Sequence, residues 1–174
     1  MPQKSLLPRS LQRLGEAANQ AAARQRFADY HSRRAEHTLR RQQADLALFT
    51  RFLGGLGVTV GELSTDPSAW AGITWGLVEA FVKWQIQAGY ALTSVNIRLS
   101  TLKTYARLAA QAGALSAQEY ALIRAVQGYN RAEQRRLDAR RGRQRLVALR
   151  HNSEYIPLFF GRRSRHDRSS GGED

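Results

Sequence analysis

Apolar residues along this chain recur at intervals of three and four rather than two, a pattern that predicts helices and no strands. The clearest case is GYALTSVNIRLSTLKTYARLAAQAG, from Gly89 to Gly113, where Val95, Leu99, Leu102, Ala106 and Ala109 fall on one stripe. The spacing predicts a core-facing helix, with Thr93 as its N-cap and Gly113 as the left-handed residue that stops it. About a third of a turn away, Asn96, Ser100, Lys103 and Arg107 share a second stripe that carries an amide, a hydroxyl and two cations. Such a stripe suits phosphate oxygens, although any solvated helix face is also polar.

Taken in order, residues 1 to 9 carry two prolines and no periodic pattern, and are expected to form a loose leader. From Ser10 to about Tyr30, Leu11, Leu14, Ala18, Ala21 and Ala22 make a weak stripe, so that helix should be modestly buried. The segment HTLRRQQADLALFTRFLGGLG is stronger, because Leu39, Gln42, Leu46, Phe49, Leu53 and Leu56 alternate at three and four, with Gln42 alone breaking the apolar set. Thr38 is placed to cap it, and Gly54, Gly55 and Gly57 to end it. Arg40 and Arg41 fall in its first turns, near the positive pole of the helix, where a phosphate would be welcome; a solvated face is the plainer reading of the pair.

Val58 to Ala71 reads as a connecting loop. Thr74 is a plausible cap for a third helix whose stripe is Leu77, Phe81, Trp84 and Ala88, with Trp75 and Trp84 as core anchors rather than platforms for nucleobases. Ser116 and Glu119 have the spacing of a capping box, opening a helix whose Ile123 and Val126 should pack on the bundle. The composition then shifts: residues 131–150 hold eight arginines against two acids, a linker expected to order only on a polyanion. A brief apolar patch, YIPLFF, precedes a final dozen residues expected to be disordered.

Composition sharpens this picture. Lys and Arg number 27 against 14 Asp and Glu in 174 residues, a formal net charge of +13. A polyanionic partner follows, nucleic acid ahead of an anionic membrane, because every long apolar run is broken by a charged, amide or glycine residue. The absence of cysteine removes disulfides, thiolate nucleophiles and Cys-containing zinc sites, and makes a cytoplasmic location the simplest expectation. Four prolines leave long Ala-, Leu-, Arg- and Gln-rich segments free to be helical, so the expected class is all-α.

Three segments together resemble one family. In HTLRRQQADLALFTRFL the threonine, the basic pair, the acidic residue and the late phenylalanines are similar to the first helix of the core-binding domain of tyrosine recombinases, the phage integrases. VEAFVKWQIQAGYALTSVNIRLSTLKTYARLAAQAG resembles that domain's signature in the order of Val-Glu-x-Phe, a glycine turn, a hydroxyl residue, Asn, Arg-Leu-Ser and Leu-Lys. GALSAQEYALIRAVQGYNRAEQRRLDARRGR looks like the helix and Arg-rich linker that follow it. The resemblance implies a small SAM-like bundle of four to five helices, here with an extra N-terminal helix and a basic C-terminal linker and tail. It divides the chain into a leader and helix (1–27), the DNA-binding domain (28–113), a packing helix with its linker (114–150) and a disordered tail (151–174).

The resemblance further implies that the domain clamps duplex DNA, with other recombinase protomers as further partners. Arg40, Arg41, Ser94, Asn96, Arg98, Ser100 and Lys103 match the family's DNA-facing positions, and the helical wheel adds Arg107. Many relatives have a second basic residue where this chain has Ile97. Phosphate contacts would give affinity, while Asn96 and Arg98 are the candidates for base edges. The chemistry is not carried over. Family members cleave with a tyrosine, arginines, a lysine and a His-x-x-Arg pair in a large downstream domain, whereas only 24 residues follow Arg150. The His31–Arg34 and His37–Arg40 strings lie in the binding region, and Tyr155 has no catalytic set around it. The expectation is a non-catalytic, truncated form needing no cofactor, metal or small-molecule substrate, and no membrane. A small basic helical protein that binds structured RNA or acts as an accessory repressor is the alternative.

Overall fold

The computed structural model describes residues 9–130, 132–133 and 135–137; nearly all of the expected leader, most of the Arg-rich linker and the tail lie outside them. All regular structure among the described residues is helical, as the periodicity requires: α1 (Arg9–Ser32), α2 (Glu36–Gly55), a 3-10 turn (Pro67–Trp70), α3 (Trp75–Gln87), α4 (Leu92–Gln111) and α5 (Ala117–Ala125). No helix among them is long and apolar enough to cross a membrane.

α4 is the central rod, packed against each of the other elements. Its predicted stripe of Val95, Leu99, Leu102, Ala106 and Ala109 is buried throughout, joined by Leu92, Tyr105 and Leu108. At roughly 1.5–3 kcal/mol for each large apolar side chain removed from water, this one helix organises much of the core. Gly113 (φ 81°) follows the helix in the left-handed region, and the Ala114 amide donates back to Ala109 O at 2.9 Å. Gly89 (φ 86°) closes α3 in the same way, with Tyr90 donating to Gln85 O at 3.0 Å. Both are Schellman turns, which a residue with a Cβ would strain.

α2 buries Leu46, Phe49 and Leu53 as expected, and the polar interruption has a partner. Gln42 Nε2 donates to the Tyr30 hydroxyl at 2.8 Å, fastening α2 to the end of α1.

Several local expectations are corrected. The helix starts lie earlier than the threonines suggested: Ala91 caps α4 and Ala35 caps α2, so Thr93 and Thr38 stand in the first turns and neither cap has a side-chain hydrogen bond. Thr74 does occupy the cap position of α3, but its side chain makes no cap bond. The first amide of that helix, Trp75 N, instead donates to Glu119 Oε1 at 2.6 Å, so α5 caps α3 from across the bundle. Only half of the capping box therefore forms, Glu119 N donating to Ser116 Oγ at 3.0 Å.

Trp75 itself is 43 % exposed and is no core anchor. Trp84 is, sitting among Phe52, Phe81 and Tyr90. α3 buries Val78, Phe81, Val82 and Gln85, so its inner face is turned away from Ala88, which is exposed. α1 buries only its C-terminal end: Leu11 and Leu14 are exposed, because the alanines beside them offer too little apolar area to hold a helix down. Phe27 and Tyr30 are buried and meet Tyr105 edge to face at 5.9 and 5.7 Å. The supposed loop between α2 and α3 belongs to the core. Asp66 caps its 3-10 turn, and the fully buried Trp70 donates from Nε1 to Leu63 O at 2.9 Å.

Candidate nucleic-acid interface

Only half of the polar stripe of α4 stays open to solvent. Asn96 Nδ2 donates to Tyr129 O at 2.7 Å and Asn96 Oδ1 accepts from Tyr129 N at 2.9 Å. Two turns further on, Lys103 Nζ donates to Val126 O at 2.6 Å. Burial, and secondarily the charge of Arg124, holds the Lys103 ammonium below its ordinary pKa. These contacts correct the expectation of a four-residue phosphate-facing stripe. The chain leaving α5 turns extended at Val126 (ψ 124°), which leaves its backbone groups without helical partners. Asn96 and Lys103 supply them. Of the four, Ser100 and Arg107 remain exposed.

The opposite flank of α4 carries an organised cationic seam. Residues two apart on an α-helix stand roughly 200° apart around the axis, so Arg98 faces well away from Ser100. It meets α2 and α3. Arg98 Nε lies 3.8 Å from Asp45 Oδ1, its Nη1 donates to Gln85 Oε1 at 3.1 Å, and its Cζ stands 4.5 Å from the centre of the Tyr90 ring. Asp45, buried on α2, also accepts from Thr101 Oγ1 at 2.7 Å and from Arg41 Nη1 at 3.5 Å. One carboxylate thus orients two guanidinium groups from different helices and leaves one net positive charge. Ser94, one turn before Arg98, is half-buried on the same flank, while Arg40 reaches Glu36 at 2.6 Å on the open surface. That exposed pair is worth about 0.3–0.5 kcal/mol and yields readily to a stronger anion.

The predicted site residues therefore separate into three groups. Arg41 and Arg98 come together, with Ser94 beside Arg98 and Arg40 on the same helix as Arg41. Asn96 and Lys103 face the segment after α5. Ser100 and Arg107 lie on the outer edge of α4, and Arg107 lines a cleft with Arg26, Arg33 and Arg34 from the end of α1. Sequence reasoning did not single out Asp45, Gln85 or Tyr90 as parts of the seam. The Arg41–Asp45 spacing of four was a readable signal for the first; the others are joined to Arg98 only through the fold.

Comparison with protein-family models, with curated proteins and with solved structures yields no match to this chain.

Proposed function

We propose that this chain is a duplex-DNA-binding module of the kind that forms the core-binding domain of tyrosine recombinases, and that it grips DNA without cutting it. The observation that carries the reading is the shared hold of Asp45 on Arg41 and Arg98, residues 57 positions apart that the family resemblance independently singles out. A guanidinium fixed by a carboxylate and an aromatic face loses little freedom when it meets a phosphate, so it binds as a preorganised fork rather than a waving chain. The excess of positive charge over the whole chain adds long-range attraction that does not depend on sequence. Strand cleavage is no part of the proposal, because the resemblance is to the binding domain alone.

The test is duplex binding by fluorescence anisotropy across a salt series. The expected log–log slope is several units, since each phosphate contact releases close to one counterion. An Arg40→Ala, Arg41→Ala double variant should lower the slope by about one to two units and weaken all duplex sequences alike. A flat salt response, or an unaltered slope in that variant, defeats the proposal. Equal competition by A-form RNA, whose deep major groove excludes a helix, would transfer the protein to the RNA-binding class.

A further inference from the structure

A group of arginines that no acid answers lies away from this seam, where the end of α1 meets the last turns of α4. Arg26, Arg33, Arg34 and Arg107 line one cleft of about 170 Å³, and Asp29 is the only carboxylate among its lining residues. Among the described residues none of the four takes part in an ion pair. Arg26 Nε is buried with no acceptor. Arg34 lies over the Tyr30 ring at 4.9 Å, a contact that uses the face of the guanidinium and none of its N–H donors.

A plainer account of this corner is that cations gather at helix C-termini. Arg33 and Arg34 follow the end of α1, and Arg107 lies one turn before the end of α4, where the helix poles are negative. The magnitudes show that this accounts for only part of the cluster. Two poles of about half a charge each, together with Asp29, oppose four guanidinium charges with about two negative ones. A clear positive excess remains, and the helix poles do not explain why the Arg26 donor is buried without an acceptor. A cleft of this size is below the roughly 300 Å³ at which pockets begin to hold drug-sized ligands, so it suits one tetrahedral anion rather than a nucleotide.

We propose that this cleft binds a single phosphate group and, resting on the duplex-DNA reading above, that its occupant is a backbone phosphate outside the stretch gripped at the α2–α4 seam. Arg26, Arg33 and Arg34 lie outside the three segments that carry the family resemblance, so the resemblance assigns them no role. Planar guanidinium forks approaching from two helices match the oxygens of one phosphate, and Asp29 would face the remaining charge.

The test uses the full chain with nitrogen-labelled arginines. Inorganic phosphate is titrated against sodium chloride at matched ionic strength while the Nε–H resonances of Arg26, Arg33, Arg34 and Arg107 are followed. Saturable shifts at these four with phosphate alone are expected. They should vanish in an Arg33→Ala, Arg107→Ala double variant, whose melting temperature should hold because both side chains are exposed. Linear shifts, or equal shifts with chloride, overturn the site. In duplex binding the same variant should lower the log–log salt slope by about one to two units. An unchanged slope overturns the backbone-phosphate occupant. Saturable phosphate binding by a chain that ignores duplex DNA would also overturn that occupant, together with the DNA reading, and leave the phosphate site standing.

Discussion

Asn96 holds the peptide of Tyr129 from both sides, donating to its carbonyl at 2.7 Å and accepting from its amide at 2.9 Å. A side-chain amide is the one uncharged group that can mimic a neighbouring strand in this way. The consequence is that α4 fixes the direction in which the chain departs toward its arginine-rich region.

Replacing Asn96 with Ala should therefore act on stability before it acts on binding. Two hydrogen bonds at about 0.5–1.5 kcal/mol each are removed, so the expected cost is roughly 1–3 kcal/mol by denaturant titration. Amide exchange at Tyr129 should accelerate in parallel. A variant with unchanged stability and weakened DNA binding would show Asn96 to be a contact residue instead.

Gly128 lies so close to this clamp that a methyl group added there would stand 2.6 Å from Asn96 Oδ1. Gly128→Ala should destabilise by about 1–3 kcal/mol, the usual cost of overpacking. Much of that cost should disappear in an Asn96→Ala background, because the obstructing atom is gone. A double-mutant cycle measures this; additive costs would mean that the two residues do not interact.

Asp45→Asn should separate folding from charge. The substitution weakens the hold on Thr101, Arg41 and Arg98, for an expected loss of about 1.5–3 kcal/mol, the scale of a hydrogen bond to a charged group. It also removes a negative charge from the seam. Duplex affinity at moderate salt should nevertheless fall in a fully folded sample, because Arg41 and Arg98 lose their shared hold; an affinity that held or rose would show that the charge outweighs the orientation.

Tyr105 supplies a pH dependence. Burial, with Tyr30 and Glu62 nearby, pushes its phenol up to about 12. The folded state then binds the proton more tightly than the unfolded chain, whose tyrosines titrate near 10. The contribution to stability is whole below about pH 10 and is lost as pH rises from there toward 12, at roughly 1.4 kcal/mol for each unit of difference. Ultraviolet titration should show this one tyrosine ionising late, and a Tyr105→Phe variant should lack the alkaline loss. His31 Nε2 lies 3.1 Å from the same hydroxyl, so that variant also frees the imidazole.

How much of this was legible in the chain depends on the range of the interaction. The inner stripes of α2 and α4, the stops at Gly89 and Gly113, and the Ser116 cap are set by residues within a turn or two of one another, and the sequence displays them. The Arg40 and Arg41 pair and the Arg98 position were likewise readable as cations on helices. A helical wheel gives the angle between two side chains but not which neighbour covers that angle.

The sequence alone determined an all-helical chain, strongly basic, with α4 as a rod apolar on one side and polar on the other. Tertiary structure decided which of that rod's polar residues face inward. Asn96 and Lys103 look on paper like surface groups, but a backbone segment more than twenty residues downstream needed a donor and an acceptor there. It also decided that Trp70 rather than Trp75 would be buried, and that Glu119 would cap a helix other than its own. The physical reason is that a backbone or side-chain polar group pairs with whatever the fold brings beside it, and a partner distant along the chain leaves no periodic trace in the sequence.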